Sequence, residues 1–179
     1  VLDSEDRNPE LEAALAGAGF SHAGSLPGME VELAKVEKVS VPDGYRIERL
    51  SSGQYPHGWA HVLAEGYPVP PVAARAMSPV SIPVSDSPDA PIQFFQAIQG
   101  EQVLAVSALI ATDGLAGVYC VATLPEHRGR GLGAALTVAA LRAGREIGLS
   151  TGVLQASEAG YGVYQRIGFV ETGKGSIYV

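Results

Sequence analysis

The sequence has little of what marks a secreted, membrane-bound or nucleic-acid-binding protein. Cys120 is the one cysteine in 179 residues, so no disulfide can form within the chain. No apolar run approaches the roughly 18 residues of a membrane span, and no signal peptide is visible. Twelve basic residues against 19 acidic ones give a net charge of −7, which argues against binding to nucleic acid through its phosphates. We therefore expect a cytoplasmic protein that binds neither nucleic acid nor membrane.

The composition that is present is typical of a folded globular domain. Hydrophobic residues make up 46% of the chain and charged residues 17%. The length is enough for one domain with a full core and an appended piece. The acidic balance fits a cationic or amine-bearing substrate.

A segment of alternating glycines lies between a strand-like and a helix-like run. Gly129, Gly131 and Gly133 follow the β-prone run 115–122 and precede the helix-like run 132–147. Glycine lets the backbone adopt left-handed conformations and lets a ligand approach closely. The start of a helix offers unpaired N–H groups and the positive end of its dipole. The pattern therefore predicts a site for phosphate or pyrophosphate.

Two familiar phosphate loops do not match this segment. A P-loop needs Lys-Ser or Lys-Thr after its glycines, and none follows here. The dinucleotide fingerprint has the spacing G-x-G-x-x-G after a first strand, whereas this spacing is G-x-G-x-G, late in the chain. An ordinary glycine-rich turn remains the alternative on this segment alone.

Two segments together resemble a known family. Residues 127–136, H-R-G-R-G-L-G-A-A-L, resemble the acyl-CoA loop of the GCN5-related N-acetyltransferases (GNAT), with Arg128, Gly131 and Gly133 at the pattern positions. Residues 161–169, Y-G-V-Y-Q-R-I-G-F, resemble the family's Tyr-x-x-x-Gly-Phe signature through Tyr164 and the Gly-Phe pair that follows. The two motifs occur in the family's order, so the chain is identified as a member by resemblance.

The order of predicted elements over residues 45–179 agrees with that resemblance. It implies an α+β fold, a mixed and mostly antiparallel twisted sheet flanked by helices. A loop over 66–92 holds seven of the twelve prolines and a short helix near 72–77. The other predicted elements are strands at 45–50, 92–98, 103–111, 115–122, 152–156 and 176–179, and helices at 54–65, 132–147 and 161–167.

The first 40 residues suggest a degenerate partial repeat, which would divide the chain into a segment 1–40 and a GNAT domain 41–179. A strand end near Leu2, a helix capped by Asn8-Pro9, a stop at Gly19-Phe20 and a strand near 29–33 follow the order of the last 27 residues. Leu15 would stand where Tyr164 stands and cannot donate a proton. A coincidental helix–turn–strand is the alternative.

The resemblance also implies a site for acetyl-CoA as cosubstrate. The loop would bind the pyrophosphate, the strand before it would pair with the pantetheine and donate an N–H to the thioester oxygen, and Tyr164 would be the general acid for the departing thiolate. The acceptor would be a primary amine of a small molecule or peptide, acetylated by direct transfer. The implied acetyl-CoA residues are Val121, Ala122, Thr123, Arg128, Gly129, Arg130, Gly131, Leu132, Gly133 and Ala134.

Several side chains stay open between a functional and a structural role. Glu65 is the candidate for the base that deprotonates the amine, with His57 and His61 as alternatives. The two histidines have the i, i+4 spacing of metal ligands, but no third ligand has a telling position, so no metal is expected. Trp59 and Tyr67 either wall the acceptor pocket or fill the core.

Two further expectations concern what the chain does as a whole. A GNAT fold that binds acyl-CoA without turnover, as a sensor or scaffold, is the alternative to the enzyme. An exposed closing strand can also pair with a second copy of the chain, which would give a homodimer.

Overall fold

The computed structural model describes residues 8–54, 57–67 and 69–179, and the side chain of His57 is outside this description. Helix α1 (Pro9–Gly17) and strand β1 (His22–Glu32) precede a 3-10 turn at Leu33–Lys35. The other elements follow in chain order: β2 (Arg46–Arg49), α2 (His57–Gly66), α3 (Pro71–Ala76), β3 (Ile92–Gln99), β4 (Gln102–Thr112), β5 (Leu115–Thr123), a 3-10 turn (Pro125–His127), α4 (Leu132–Glu146), β6 (Thr151–Gln155), α5 (Glu158–Ile167) and β7 (Val170–Tyr178).

The described residues form seven strands, which make one mixed sheet in the order β2-β3-β4-β5-β6-β1-β7. Every pairing is antiparallel except the parallel pair β5–β6. The predicted α+β class and the order of elements from β2 to β7 are therefore confirmed. The predicted strand end near Leu2 lies outside the described residues.

The core has one layer on each face of the sheet. Leu136, Leu141 and Ile167 belong to a buried cluster that joins α4 and α5 to the sheet. Trp59 and Leu63 belong to a second cluster, which joins α2 to the opposite face. Burial of these apolar side chains is the main favourable term in the stability of the sheet and its helices.

Strand β1 lies inside the sheet, between β6 and β7. It pairs with β6 from Gly28 to Glu32 and with β7 from His22, opposite Tyr178, to Glu30, opposite Val170. The sequence predicted only the part of β1 near 29–33 and the part of β7 at 176–179. Both strands are longer because each supplies backbone partners to the other, which lie far away in the sequence.

The ends of α1 and α5 have the same hydrogen bonds. The N–H of Phe20 donates to the carbonyl oxygen of Leu15 at 3.0 Å, and the N–H of Phe169 donates to that of Tyr164 at 3.1 Å. The glycines before both phenylalanines have positive φ, +90° and +110°, as helix C-terminal caps do. These matched ends agree with the suggested repeat, which stays a hypothesis.

Candidate active site

The glycine loop opens the N-terminus of α4 to solvent. Gly129 and Gly131 have φ of +74° and +85°, values that favour glycine over any other residue. Gly131 is the N-cap of α4 and no side chain caps the helix there. The backbone N–H groups of the first turn, at 132–134, therefore have no partner inside the helix and carry the positive end of its dipole. This is the geometry that binds an anion.

The two arginines of the loop bond back to the protein. The Nε of Arg128 donates to the carbonyl oxygen of Thr123 at 3.2 Å. The guanidinium of Arg130 donates to the hydroxyl of Tyr45 at 2.8 Å and to the carbonyl oxygen of Glu126 at 3.2 Å. Arg128 lines the cleft described below, whereas Arg130 does not. Arg130 therefore braces the loop.

Strand β5 has a bulge just beyond the point where its pairing with β6 ends. Val106 of β4 lies opposite Ala122, but Ala108 lies opposite Tyr119, so β5 has one extra residue in this stretch. Cys120, inside the bulge, has a φ of +55°, an uncommon value for a residue with a side chain. The parallel pairing of β5 with β6 covers only residues 115–117. Beyond it the two strands diverge.

The divergence opens a cleft of about 800 Å³. One wall is the end of β5, the second is α5, and the glycine loop with the start of α4 closes one side. Gly66 at the end of α2 and Tyr67 just after it also line the cleft. Of the residues predicted to bind acetyl-CoA, the cleft brings together Val121, Ala122, Thr123, Arg128, Gly129, Gly131, Leu132, Gly133 and Ala134.

Tyr164 lies in the wall formed by α5. Its side chain packs edge-on against Phe169, with 5.9 Å between ring centroids, and the residue is buried. Burial raises the pKa of the Tyr164 phenol well above its ordinary value, and the nearby Tyr67 raises it further. The phenol therefore stays protonated at neutral pH and can donate a hydrogen bond into the cleft.

The remaining candidate residues lie in or just after helix α2. Of the described ones, Tyr67 alone lines the cleft. Glu65 is exposed and is not among the cleft residues, so the structure does not bring it together with Tyr164. His61 is also exposed. Trp59 is fully buried and its Nε1 donates to the carbonyl oxygen of Phe95 at 3.1 Å, so it fills the core. Tyr67 lines the cleft.

Sequence reasoning missed the local geometry of Cys120. The residue is buried, as its apolar surroundings predict, and burial raises the pKa of its thiol to about 11. Its left-handed φ and the bulge around it have no signature in the sequence. In the part of the chain that is described, no group of three or more His, Cys, Asp or Glu side chains could hold a metal ion. No helix there is both long and apolar enough to cross a membrane.

Comparisons with known proteins give one matching family model and several solved structures of similar fold. Residues 90–171 match the family model described as an acetyltransferase (GNAT) domain. No curated protein matches the chain. Among solved structures, a GCN5-related N-acetyltransferase from Kribbella flavida has a TM-score of 0.73 at 21% identity, with 97% of this chain and 64% of that chain covered.

Two further structures extend this result. A GCN5-related N-acetyltransferase from Sphaerobacter thermophilus has a TM-score of 0.71 at 15% identity, over 97% of this chain and 56% of that chain. A tandem GNAT protein from the clavulanic acid biosynthesis pathway has a TM-score of 0.65 at 16% identity, over 99% of this chain and 61% of that chain. The chain thus spans less than two thirds of each of these three proteins. It has the fold of the GCN5-related N-acetyltransferases, and its residues 90–171 match that family's domain.

Proposed function

We propose that the chain transfers an acetyl group from acetyl-CoA directly to a primary amine of a small molecule or peptide. The observation that carries this proposal is the cleft itself, where the open N-terminus of α4, the freed end of β5 and the Tyr164 phenol face one space. Each of these three parts supplies a different requirement of acyl transfer from a thioester.

Binding is the task of the loop and of β5. The N–H groups at 132–134 would hold the pyrophosphate of the cosubstrate, and Arg128 adds a positive charge on the cleft wall. Because β5 leaves β6 after residue 117, its backbone groups at 121–123 have room to pair with the pantetheine. One of these N–H groups would polarise the thioester carbonyl, a role that needs a donor fixed before the reaction.

Transfer forms a C–N bond and breaks a C–S bond. The amine attacks as its free base, and the proton that its nitrogen then loses passes to solvent. The hydroxyl of Tyr164 donates its proton to the departing sulfur and recovers one from solvent. The reaction needs no oxidant or reductant.

The test uses two measurements on the chain. Acetyl-CoA should raise the Tm, and an amine panel with acetyl-CoA should release free CoA. Tyr164→Phe should lower turnover by about 10²–10⁴-fold and leave acetyl-CoA affinity nearly unchanged. Tyr161→Phe is the control, since this tyrosine lies on the same helix and its hydroxyl donates to Glu171 at 2.8 Å. Equal loss of binding and turnover in Tyr164→Phe would contradict the acid role.

A module that binds acyl-CoA without turnover is the second candidate. It is favoured by the absence of Asp and Glu among the described residues that line the cleft, which leaves no carboxylate there to deprotonate an ammonium. Stabilisation by acetyl-CoA without CoA release for any amine would support this candidate over the enzyme.

A further inference from the structure

The cleft combines neutral and cationic side chains. Its described titratable lining consists of Tyr67 after α2, His127 and Arg128 of the loop, and Tyr164 and Arg166 of α5. Cys120, in the bulge of β5, interacts electrostatically with Tyr67. No described lining residue is a carboxylate. A protonated amine entering this cleft would therefore find no carboxylate of the protein as a partner among the described residues.

Helix α2 places Tyr67 at the cleft through an unusually close contact. A β-carbon added to Gly66 would lie 2.7 Å from the Cβ of Ala122 and 3.3 Å from the backbone nitrogen of Thr123. Only glycine lets the end of α2 approach β5 so closely. The N–H of Tyr67 donates to the carbonyl oxygen of Leu63 at 2.9 Å, which continues the last turn of the helix. Tyr67 is thereby held beside the freed end of β5.

The two phenols that line the cleft, Tyr67 and Tyr164, have hydroxyls that can bond to a ligand. Burial raises the pKa of Tyr67, and Tyr67 in turn raises that of Tyr164. Among the described residues, neither hydroxyl has a hydrogen-bond partner. Each hydroxyl can therefore bond to a ligand in the cleft.

We propose that Tyr67 holds the nucleophilic nitrogen of the acceptor in front of the thioester, and that the acceptor is a weakly basic amine, with a conjugate-acid pKa below about 8. This inference rests on the proposed function and names the substrate class of the same site. The hydroxyl of Tyr67 accepts a hydrogen bond from the N–H of the amine, as a phenol oxygen can.

The need for a weakly basic amine follows from the relative populations of its neutral and protonated forms. An alkylamine like that of lysine, with a pKa near 10.4, has only about one molecule in 2,500 as free base at pH 7. Because no described cleft residue is a carboxylate, the protein has no such base there to raise the fraction of free amine. An amine with a pKa of 8 is about one-tenth neutral at pH 7 and one with a pKa below 7 is mostly neutral, so either can attack without an enzymic base.

The experiment compares pairs of amines that share a ring and differ in basicity, such as aniline and benzylamine. With saturating acetyl-CoA at pH 7, we expect kcat/KM to be at least tenfold higher for the weaker base of each pair. For that amine, kcat/KM should rise with pH only through the amine's own pKa and stay level above it. Tyr67→Phe should raise the acceptor KM about tenfold, with the KM for acetyl-CoA and the Tm nearly unchanged.

Tyr119→Phe is the matched control, because this exposed tyrosine of β5 does not line the cleft. A higher kcat/KM for the stronger base of each pair would overturn this inference but not the proposed function. An acceptor KM that is unchanged in an active Tyr67→Phe variant would do the same. Stabilisation by acetyl-CoA without acetylation of any amine would instead overturn the enzyme function on which it rests.

Discussion

A β-carbon added to Gly160 would lie 2.8 Å from Cε2 of Tyr164, so the aromatic ring rests directly on the glycine one turn earlier in α5. The Tyr164 ring fits in the cleft wall because Gly160 has no side chain. The conformation of the proposed general acid therefore depends on a residue that has no chemistry of its own.

We expect Gly160→Ala to displace the Tyr164 ring and lower acetyl transfer several-fold. Gly162→Ala is the control on the same helix, where the added carbon would have an ordinary contact of 3.6 Å with Nη1 of Arg166. It should gain about 0.5–1 kcal/mol of stability, as alanine does over glycine in a helix, and keep activity. Equal activity and equal Tm in the two variants would show that the ring does not need this space.

Gly131→Ala should lower the stability of the chain and should also weaken its binding of acetyl-CoA. An alanine at its φ of +85° costs about 1–2 kcal/mol and distorts the start of α4. Gly148→Ala is a matched control, because Gly148 has a φ of +86° at the far end of α4 and open space around it. Calorimetric titration with acetyl-CoA should show a loss of affinity for Gly131→Ala only. A loss of affinity in both variants would show that backbone strain anywhere near α4 is the cause, and not the glycine loop.

The buried thiol of Cys120 predicts how stability changes at high pH. Its pKa is raised to about 11 in the folded chain from an ordinary value of 9.0, so the folded state keeps the proton that the unfolded state releases. The contribution to stability is complete below pH 9 and is lost as pH rises towards 11. Urea titrations at pH 8 and pH 10.5 should show a larger fall in the free energy of unfolding for the natural chain than for Cys120→Ala. Identical falls would refute this assignment.

Removal of residues 1–40 should prevent folding, although the sequence suggests a boundary there. Within the described part of the chain, strand β7 has β1 as its only neighbour in the sheet, and β6 has β1 on one side. Removal of residues 1–20 is the control, because α1 has no buried residues in the described part of the chain. Far-ultraviolet circular dichroism and thermal melts should show a cooperative fold for the shorter truncation only. A cooperative melt for 41–179 would support the boundary.

Features with a local cause could be predicted from the sequence. The cap formed by Asn8 and the glycine loop before α4 depend on neighbouring residues. Helix α5 starts at Glu158, three residues earlier than predicted, because the hydroxyl of Ser157 accepts from the N–H of Gly160. Because serine is a residue type that caps helices, this start has a signal in the sequence.

Features that depend on distant contacts could not be predicted. The full length of β7, with glycines at 173 and 175, reflects pairing with β1 rather than its own β-propensity. The bulge at Cys120 reflects the register between β4 and β5. The position of Tyr67 depends on how closely Gly66 approaches Ala122, and no sequence pattern encodes a distance between two elements.

The place of β1 between β6 and β7 also has a consequence for the order of folding. Ser21 and Val179, 158 residues apart, exchange two backbone hydrogen bonds of 2.8 and 2.9 Å just beyond the paired strands. Closing so long a loop costs conformational entropy before any contact repays it, and folding rates fall as contacts become less local. During synthesis β1 is made before β6 and β7, and it gains these partners only after both have been translated. We therefore expect assembly of this edge of the sheet to be the late and slow step of folding.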